Sequence, residues 1–271
     1  MFNTIKKIVF RLYCSYLNNI PIERGKYRLG KIIHLIFGNA IYKFHGVLIE
    51  LNPLAMIDRK LIVEGRHDEV VLEALNKTLC KGGIFLDIGA NIGYFSLIAA
   101  SLPSVKVFAF EPSGREIYRL YRNICLNDFT NITVIPYGIS TKIGFLELNI
   151  AADHNPGMNS VLDLTRITTY SKSTSCYFTT LDSLLAESIL RDVRLCKIDV
   201  EGYEMFVLKG LETMIHLMHE AVFVVEISQP YLLISGFQKN DIYDFFEKFD
   251  FKPKFGPQEL PQYDEVFMRT L

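Results

Sequence analysis

Residues 83–94 read Gly83-Ile84-Phe85-Leu86-Asp87-Ile88-Gly89-Ala90-Asn91-Ile92-Gly93-Tyr94. The apolar run from Ile84 to Ile88 has the length and content of a buried strand, and the glycine-bearing turn behind it leads into a helical pattern from Tyr94 to Ala100. Small residues in such a turn let a ligand approach the backbone, and the exposed N–H groups and positive helix end favour an anionic group such as a carboxylate. The dinucleotide-binding form of this turn is G-x-G-x-x-G, which embraces a pyrophosphate. Here the spacing is D-x-G-x-N-x-G, with Asp87 ahead of the first glycine and Asn91 where a glycine would stand. An acid at Asp87 suits a cationic amine better than a pyrophosphate.

Outward from this turn, strand and helix alternate. Upstream, a helix led in by Asp68 runs from Val70 to Leu79 and stops at Gly82-Gly83. Downstream come a strand from Val105 to Phe110, a helix from Arg115 to Leu126 and a strand from Ile132 to Ile135. After a less regular stretch over 138–178, the pattern gives a short helix from Thr180, a strand from Leu195 to Ile198 and a helix from Glu204 to Met218. A strand from Ala221 to Ile227, a helix from Asn240 to Phe249 and two last strands, around Phe251 and over Val266 to Thr270, complete the chain. This order predicts an α/β fold, a doubly wound sheet that is mostly parallel and closes with an antiparallel C-terminal hairpin.

A second carboxylate, Glu111, ends the strand after the glycine turn, eighteen positions past Gly93. In open α/β sheets an acid at this place accepts hydrogen bonds from ribose hydroxyls. Asp87 and Glu111 together define an ammonium end and a nucleoside end, which a molecule with an amino acid at one end and an adenosine at the other would fill. S-adenosyl-L-methionine is the obvious candidate. Gly89, Asn91 and Gly93 are then expected to seat its methionine end, with Asp87 supporting the amine, Glu111 holding the ribose and Tyr94 within reach of the cofactor or packed in the core.

The runs LDIGANIGYFSLIAA, VFAFEPSGREIYRLYRNICLN, TTLDSLL and CKIDVEGYEMFVLKGLE followed by VVEIS, in that order, resemble the FkbM-type methyltransferases over roughly residues 68–228. The resemblance implies a class I, Rossmann-like S-adenosylmethionine-dependent methyltransferase fold. It also implies O-methylation of a hydroxyl on a sugar, glycan or polyketide. Residues 1–67 lie outside it, so the chain divides into an extension over 1–67 and a methyltransferase domain over 68–271.

Asp199, Glu201 and Glu204 follow the strand that ends at Ile198, and the carboxyl end of a central strand borders the ligand crevice. A hydroxyl is a poor nucleophile near neutral pH, and a positioned base contributes roughly 10²–10⁴ in rate. Asp199 or Glu201 is the candidate base, while helix capping is the competing role, above all for Glu204. Glu226, closing the next strand, reads as a substrate contact, as does Glu204. These acids could also take a divalent cation with Glu226, but no tight cluster is visible in the sequence and no metal is expected. The polar loop Asp153-His154-Asn155-Pro156-Gly157-Met158-Asn159-Ser160 is of the kind that shapes an acceptor pocket, with His154 a further candidate base and Asn159 a substrate contact. His216 and His219 share a helix face at i, i+3 but lack a third metal ligand, and His45 and His67 carry no assignment.

Composition bounds the rest. Of 271 residues, 49% are hydrophobic and 22% charged, the profile of a globular protein with a sizeable core. Five scattered cysteines without C-x-x-C spacing point to reduced thiols rather than a disulfide framework or a structural zinc site. The net charge of −1 hides an asymmetry: residues 1–60 hold ten Lys/Arg against three Asp/Glu, the remainder nineteen against twenty-seven. The acidic body disfavours a nucleic-acid substrate. Over 1–37 two basic amphipathic stretches (Ile5, Val9, Leu12, Tyr16; then Ile32, Ile33, Leu35, Ile36) read as helices that either pack on the body or lie on an anionic membrane surface. Residues 41–63 turn at His45-Gly46 and Asn52-Pro53 and read as short strands or a hairpin. Without a secretory signal pattern or a run of about 20 uncharged apolar residues, the expected place is the cytoplasm, with peripheral membrane contact through 1–37 as one option. Three rivals stand beside O-methylation. A nicotinamide dehydrogenase lacks its glycine pattern here, N-methylation would need no strong base, and a non-catalytic module would bind the cofactor and dock on a membrane or partner.

Overall fold

The computed structural model of the chain describes residues 38–52, 54–65, 67–153 and 155–269, with the single positions 8, 12, 13, 15, 16 and 34. The basic helices expected over 1–37 therefore lie outside the described residues apart from those positions. Among the described residues no helix is long and apolar enough to cross a membrane, and Cys80, Cys125, Cys176 and Cys196 are free.

The central sheet has seven strands in the order β11-β12-β10-β9-β3-β4-β5. Strands β3 (Gly83–Ile88), β4 (Val105–Phe110), β5 (Ile132–Ile135), β9 (Val193–Ile198) and β10 (Val222–Ser228) run parallel, whereas β12 (Gln262–Arg269) is antiparallel to both β10 and β11 (Phe251–Pro253). The mostly parallel sheet and its C-terminal hairpin match the alternation in the sequence. Period-two alternation divides the side chains between two apolar layers. Phe85, Val107, Leu195 and Val224 face helices Glu69–Thr78 and Tyr94–Ala100, while Leu86, Phe110, Cys196 and Phe223 face helices Glu204–Leu211 and Lys239–Lys248. With both faces covered, the strands end in turns gathered along one edge, where a doubly wound sheet places its ligand.

Three stretches differ from the sequence reading. Residues 41–63 are a hairpin only in their first part, β1 (Ala40–Phe44) with β2 (Val47–Leu51); Met56–Glu64 is a helix, closed by Gly65 at φ +76°. Its buried Asp58 accepts the Asn52 N–H at 2.7 Å and pairs with Arg119, which fixes the chain direction after the hairpin. Residues 138–178 are not irregular but hold a three-stranded sheet, β6 (Gly138–Ile139), β8 (Tyr170–Thr179) and β7 (Gly144–Ala151). Helix Glu204–Leu211 stops short, and Ile215–Leu217 is a separate 3₁₀ turn, so His216 and His219 share no α-helical face. His219 Nδ1 instead lies 3.0 Å from Arg269 Nη1. The short helices Glu187–Arg191 and Gln229–Ile234 have no counterpart in the sequence reading.

The hairpin is tied to helix Gly114–Cys125 and the turn that follows it by amide side chains. Asn127 Oδ1 accepts the Leu48 N–H at 2.7 Å and Asn123 Oδ1 the Glu50 N–H at 2.8 Å, so the free edge of β2 is capped rather than open. Gly210 lies in helix Glu204–Leu211, where an added Cβ would come within 2.2 Å of the Ser140 carbonyl oxygen. Helix propensity alone predicts that Gly210→Ala stabilises by about 1 kcal/mol. The clash reverses the sign, and thermal denaturation of Gly210→Ala is expected to show a melting temperature several degrees below that of the parent; an unchanged or raised value contradicts this packing.

Candidate active site

The turns after β3, β4 and β9 are hydrogen-bonded to one another before any ligand arrives. Gly89 and Ala90 donate their N–H groups to the Phe110 carbonyl at 3.0 Å each, and the Asp199 N–H reaches the Ile88 carbonyl at 3.1 Å. Gly89, at φ +85°, is pressed against the β9 turn, for its Cβ would fall 1.9 Å from the Asp199 carbonyl oxygen. The glycine is thus required by the close approach of two turns as well as by any ligand. Gly93, at φ +87°, starts helix Tyr94–Ala100 and leaves room for Leu120, whose Cδ1 would be 2.3 Å from a Cβ there. Asn91 holds φ +51° and directs its N–H to Glu111 Oε2 at 2.9 Å. Around these turns opens a cleft lined by residues of all three turns, among them Gly89, Asn91, Glu111 and Asp199.

Glu111 sits on the wall of that cleft and is 6% exposed. Besides Asn91, it accepts the Ser113 N–H on Oε1 at 2.9 Å, so one carboxylate joins the turns after β3 and β4. Burial, reinforced by the nearby Glu116, pushes its carboxyl up to about 8. Glu116, buried below, accepts Arg115 Nε at 2.7 Å and Asn159 Nδ2 at 2.9 Å. Arg115 also donates to the Ala151 and Pro156 carbonyls, at 2.9 and 3.3 Å. Asn159 lines the cleft, yet its Oδ1 already takes the Ala151 N–H at 2.9 Å. It anchors its loop at least as much as it offers a substrate contact. His154 lies outside the described residues.

Asp87 is 1% exposed and lies beneath the cleft rather than on its wall. Ser96 Oγ donates to its Oδ2 at 2.6 Å, and Lys197 Nζ stands 4.0 Å from its Oδ1. Strand register places Asp87 opposite Lys197, so the chain supplies its own ammonium where the sequence reading expected the ligand's. Lys197 itself lines the cleft and donates to Asp199 Oδ2 at 2.9 Å. Burial raises the Asp87 carboxyl against the pull of Lys197, while Asp199 and Asp87 hold the lysine firmly charged. Tyr94 borders the cleft as well, 5% exposed, with its ring packed against Phe95 at 5.0 Å.

The acids after β9 separate. Asp199 and Glu201 line the cleft. Glu204 does not; it is fully buried, and its Oε1 accepts the Val200 and Gly202 N–H groups at 3.1 and 3.0 Å. Its place is the turn, which corrects the expected substrate contact. Glu226 accepts Gln262 Nε2 at 2.6 Å and is not on the cleft wall, although carboxylate oxygens of Asp199, Glu201 and Glu226 come within 4.8 Å of one another. Such a group suits a shared proton or a cation, and it forms by folding from positions the sequence spreads over 28 residues. Burial and the neighbouring acids push the Glu201 and Glu226 carboxyls well up, and Glu204 to about 7. Sequence reasoning passed over Lys197, Arg115, Glu116 and His67. A lysine within the apolar strand Val193–Ile198 was the available signal for the first.

A model of the methyltransferase FkbM domain matches residues 87–253. Hexuronic acid methyltransferase AglP of Haloferax volcanii is 30% identical over 151 residues, 54% of this chain and 57% of that one. Methyltransferase sdnD of Sordaria araneosa is 28% identical over 155 residues, 47% of this chain and 60% of that one. The matches thus span less than two thirds of these relatives' own length. Among solved structures, a ribosomal protein L11 methylase of Lactobacillus delbrueckii subsp. bulgaricus aligns over 74% of this chain and 77% of its own, at 12% identity and TM-score 0.45.

The raised Glu111 carboxyl has a signed consequence for stability. Because the folded state holds that proton more tightly than the unfolded chain, its contribution is complete below the ordinary value of 4.5 and is lost as pH climbs to about 8. Denaturant titrations across that range are expected to show the parent losing about 2–4 kcal/mol relative to Glu111→Gln. Parallel pH profiles contradict the assignment.

Proposed function

The chain belongs to the FkbM methyltransferase family, and we propose that it moves a methyl group from S-adenosylmethionine to a hydroxyl of a sugar, glycan or other small-molecule acceptor. The observation that carries this reading is Glu111, a carboxylate at the end of β4 that faces the cleft while two backbone N–H groups keep it in place. Carboxylate oxygens offer about four acceptor sites, so two remain for the vicinal hydroxyls of a ribose. The cleft wall mixes apolar side chains with charged and polar ones, Glu111, Lys197, Asp199 and Glu201 among them, the mixture a nucleoside with an amino-acid tail calls for.

When bound, the cofactor supplies a methyl group already activated by a sulfonium. The protein's remaining tasks are alignment, exclusion of water and removal of a proton, of which alignment can supply several kcal/mol. The turn from Gly89 to Gly93 offers a backbone surface to the methionine end. Asp87 acts there through Lys197 and Ser96 rather than by direct contact, keeping the floor of the turn electrically balanced. Asp199 and Glu201 border the acceptor end, with Asn159 on the loop across from them. As bases the two acids are handicapped: Asp199 is paired with Lys197, and Glu201 retains its proton above the ordinary carboxylate range. They fit better as acceptors of hydrogen bonds from substrate hydroxyls. The name of the Haloferax relative makes hexuronic acids and their glycosides the acceptor class to try first.

Titration calorimetry above pH 8, where Glu111 is ionised, is expected to show S-adenosylmethionine binding to the parent and binding about 10–100-fold weaker to Glu111→Ala, the loss of a charged hydrogen-bond partner. Release of S-adenosylhomocysteine with a glucuronic acid glycoside should fall mainly through this weaker binding. Equal affinity in the two proteins would remove Glu111 from the ribose site.

A further inference from the structure

Helix Met56–Glu64, on chain that precedes the family match at 87–253, puts Ile57 and Asp58 on the cleft wall. Meeting it is the loop that follows β7, of which Pro156, Gly157 and Asn159 line the same cleft. The two walls touch through Ile57. A Cβ on Gly157 would fall 2.3 Å from Ile57 Cδ1 and 3.6 Å from Asn91 Nδ2, so the contact lies beside the glycine turn. Gly157 does not hold a left-handed φ, and its backbone would accept a side chain; the nearness of Ile57 is what leaves no room for one.

One helix anchors both walls. Arg115 and Arg119 lie one turn apart on helix Gly114–Cys125 and so share a face. Arg115 donates to the Pro156 carbonyl and to Asn159 Oδ1, at 3.3 Å each, besides the Ala151 carbonyl at 2.9 Å. Arg119 pairs with Asp58, which is 2% exposed, and reaches the Glu50 carbonyl at 3.4 Å. Such a pair keeps its geometry because separating the partners would leave a buried charge alone. The loop and the helix are therefore held in place from a common base, and a half-buried isoleucine bridges them. An aliphatic contact holds by excluding water and parts without breaking a hydrogen bond, which is what the last contact to close over a ligand requires.

We propose that helix Met56–Glu64 and the 155–160 loop form a roof over the methionine end of the cofactor site, with Ile57 the residue that governs how long the cofactor stays; the proposal rests on the cofactor reading above. Arg115 and Arg119 are positioning residues that act through the loop and the helix. Closed, the roof keeps water from the amino-acid tail and the sulfonium. For the spent nucleoside to leave, Ile57 must part from Gly157.

Surface plasmon resonance, with the full chain immobilised and S-adenosylhomocysteine in the flow, tests this alongside the melting temperature of each variant. Ile57→Ala is expected to release the nucleoside about 10-fold faster than the parent, and Ile57→Leu to restore slow release. Met56→Ala, on the exposed side of the same helix, should release at the parent's rate. Should Ile57→Ala fail to fold, Gly157→Ala takes its place, since the added Cβ displaces Ile57 and should speed release likewise. A role confined to packing would lower the melting temperature and leave the release rate at the parent's value. That result overturns the roof and leaves the cofactor reading intact, whereas a parent that binds no nucleoside overturns both.

Discussion

One carboxylate spans the two turns on which the site is built. Glu111 takes an N–H from Asn91 and another from Ser113, so the loops after β3 and β4 are held at a fixed separation by a side chain that also faces the cleft. A buried acid with a raised carboxyl is costly by itself. It is tolerated here because the backbone donors come from turns that have no other partner for them in the sheet. Gly89 completes the arrangement on the other side, where contact with the Asp199 carbonyl leaves no room for a Cβ. The three strand ends therefore present one preorganised surface, which is what positioning chemistry demands.

Below that surface lies an electrostatic layer of its own. Asp87, Lys197 and Asp199 alternate in sign across adjacent strands, and the lysine keeps the inner acid from facing an apolar core alone. Further out, Asp199, Glu201 and Glu226 crowd together. The result is a cleft with a balanced floor beneath the glycine turn and an acid-rich end beyond it, a polarity suited to a ligand carrying positive charge near its centre.

The parts of this molecule legible in the sequence were those governed by local pattern. From Gly83 to Ile135 the strands are short apolar runs, and the helices are an apolar stretch buried all round at Tyr94–Ala100 and a one-faced pattern at Gly114–Cys125, so their boundaries were marked within a residue or so. Strand β8, YSKSTSCYFT, is exposed or half-exposed over most of its length and carries no such signal. Helix Met56–Glu64 was obscured by the hairpin pattern just ahead of it. Among site residues, the glycine turn and Glu111 could be found because a strand–turn–helix setting fixes where they must lie. Lys197 could not be placed, since its meaning comes from Asp87 on a neighbouring strand more than a hundred residues earlier. For Glu204 the spacing left substrate contact and capping both open, for a related reason. Sequence spacing put it at the cleft, and folding turned its carboxylate back onto the N–H groups of its own turn.

The central claim is that Glu111 and the Gly89–Gly93 turn together seat a sulfonium nucleoside. A crystal structure of the chain with S-adenosylhomocysteine tests it most directly. The account predicts both ribose hydroxyls within hydrogen-bonding distance of the Glu111 carboxylate, with the amino-acid tail across the Gly89–Gly93 backbone. Density for the nucleoside at another place, or a ribose turned away from Glu111, would contradict it.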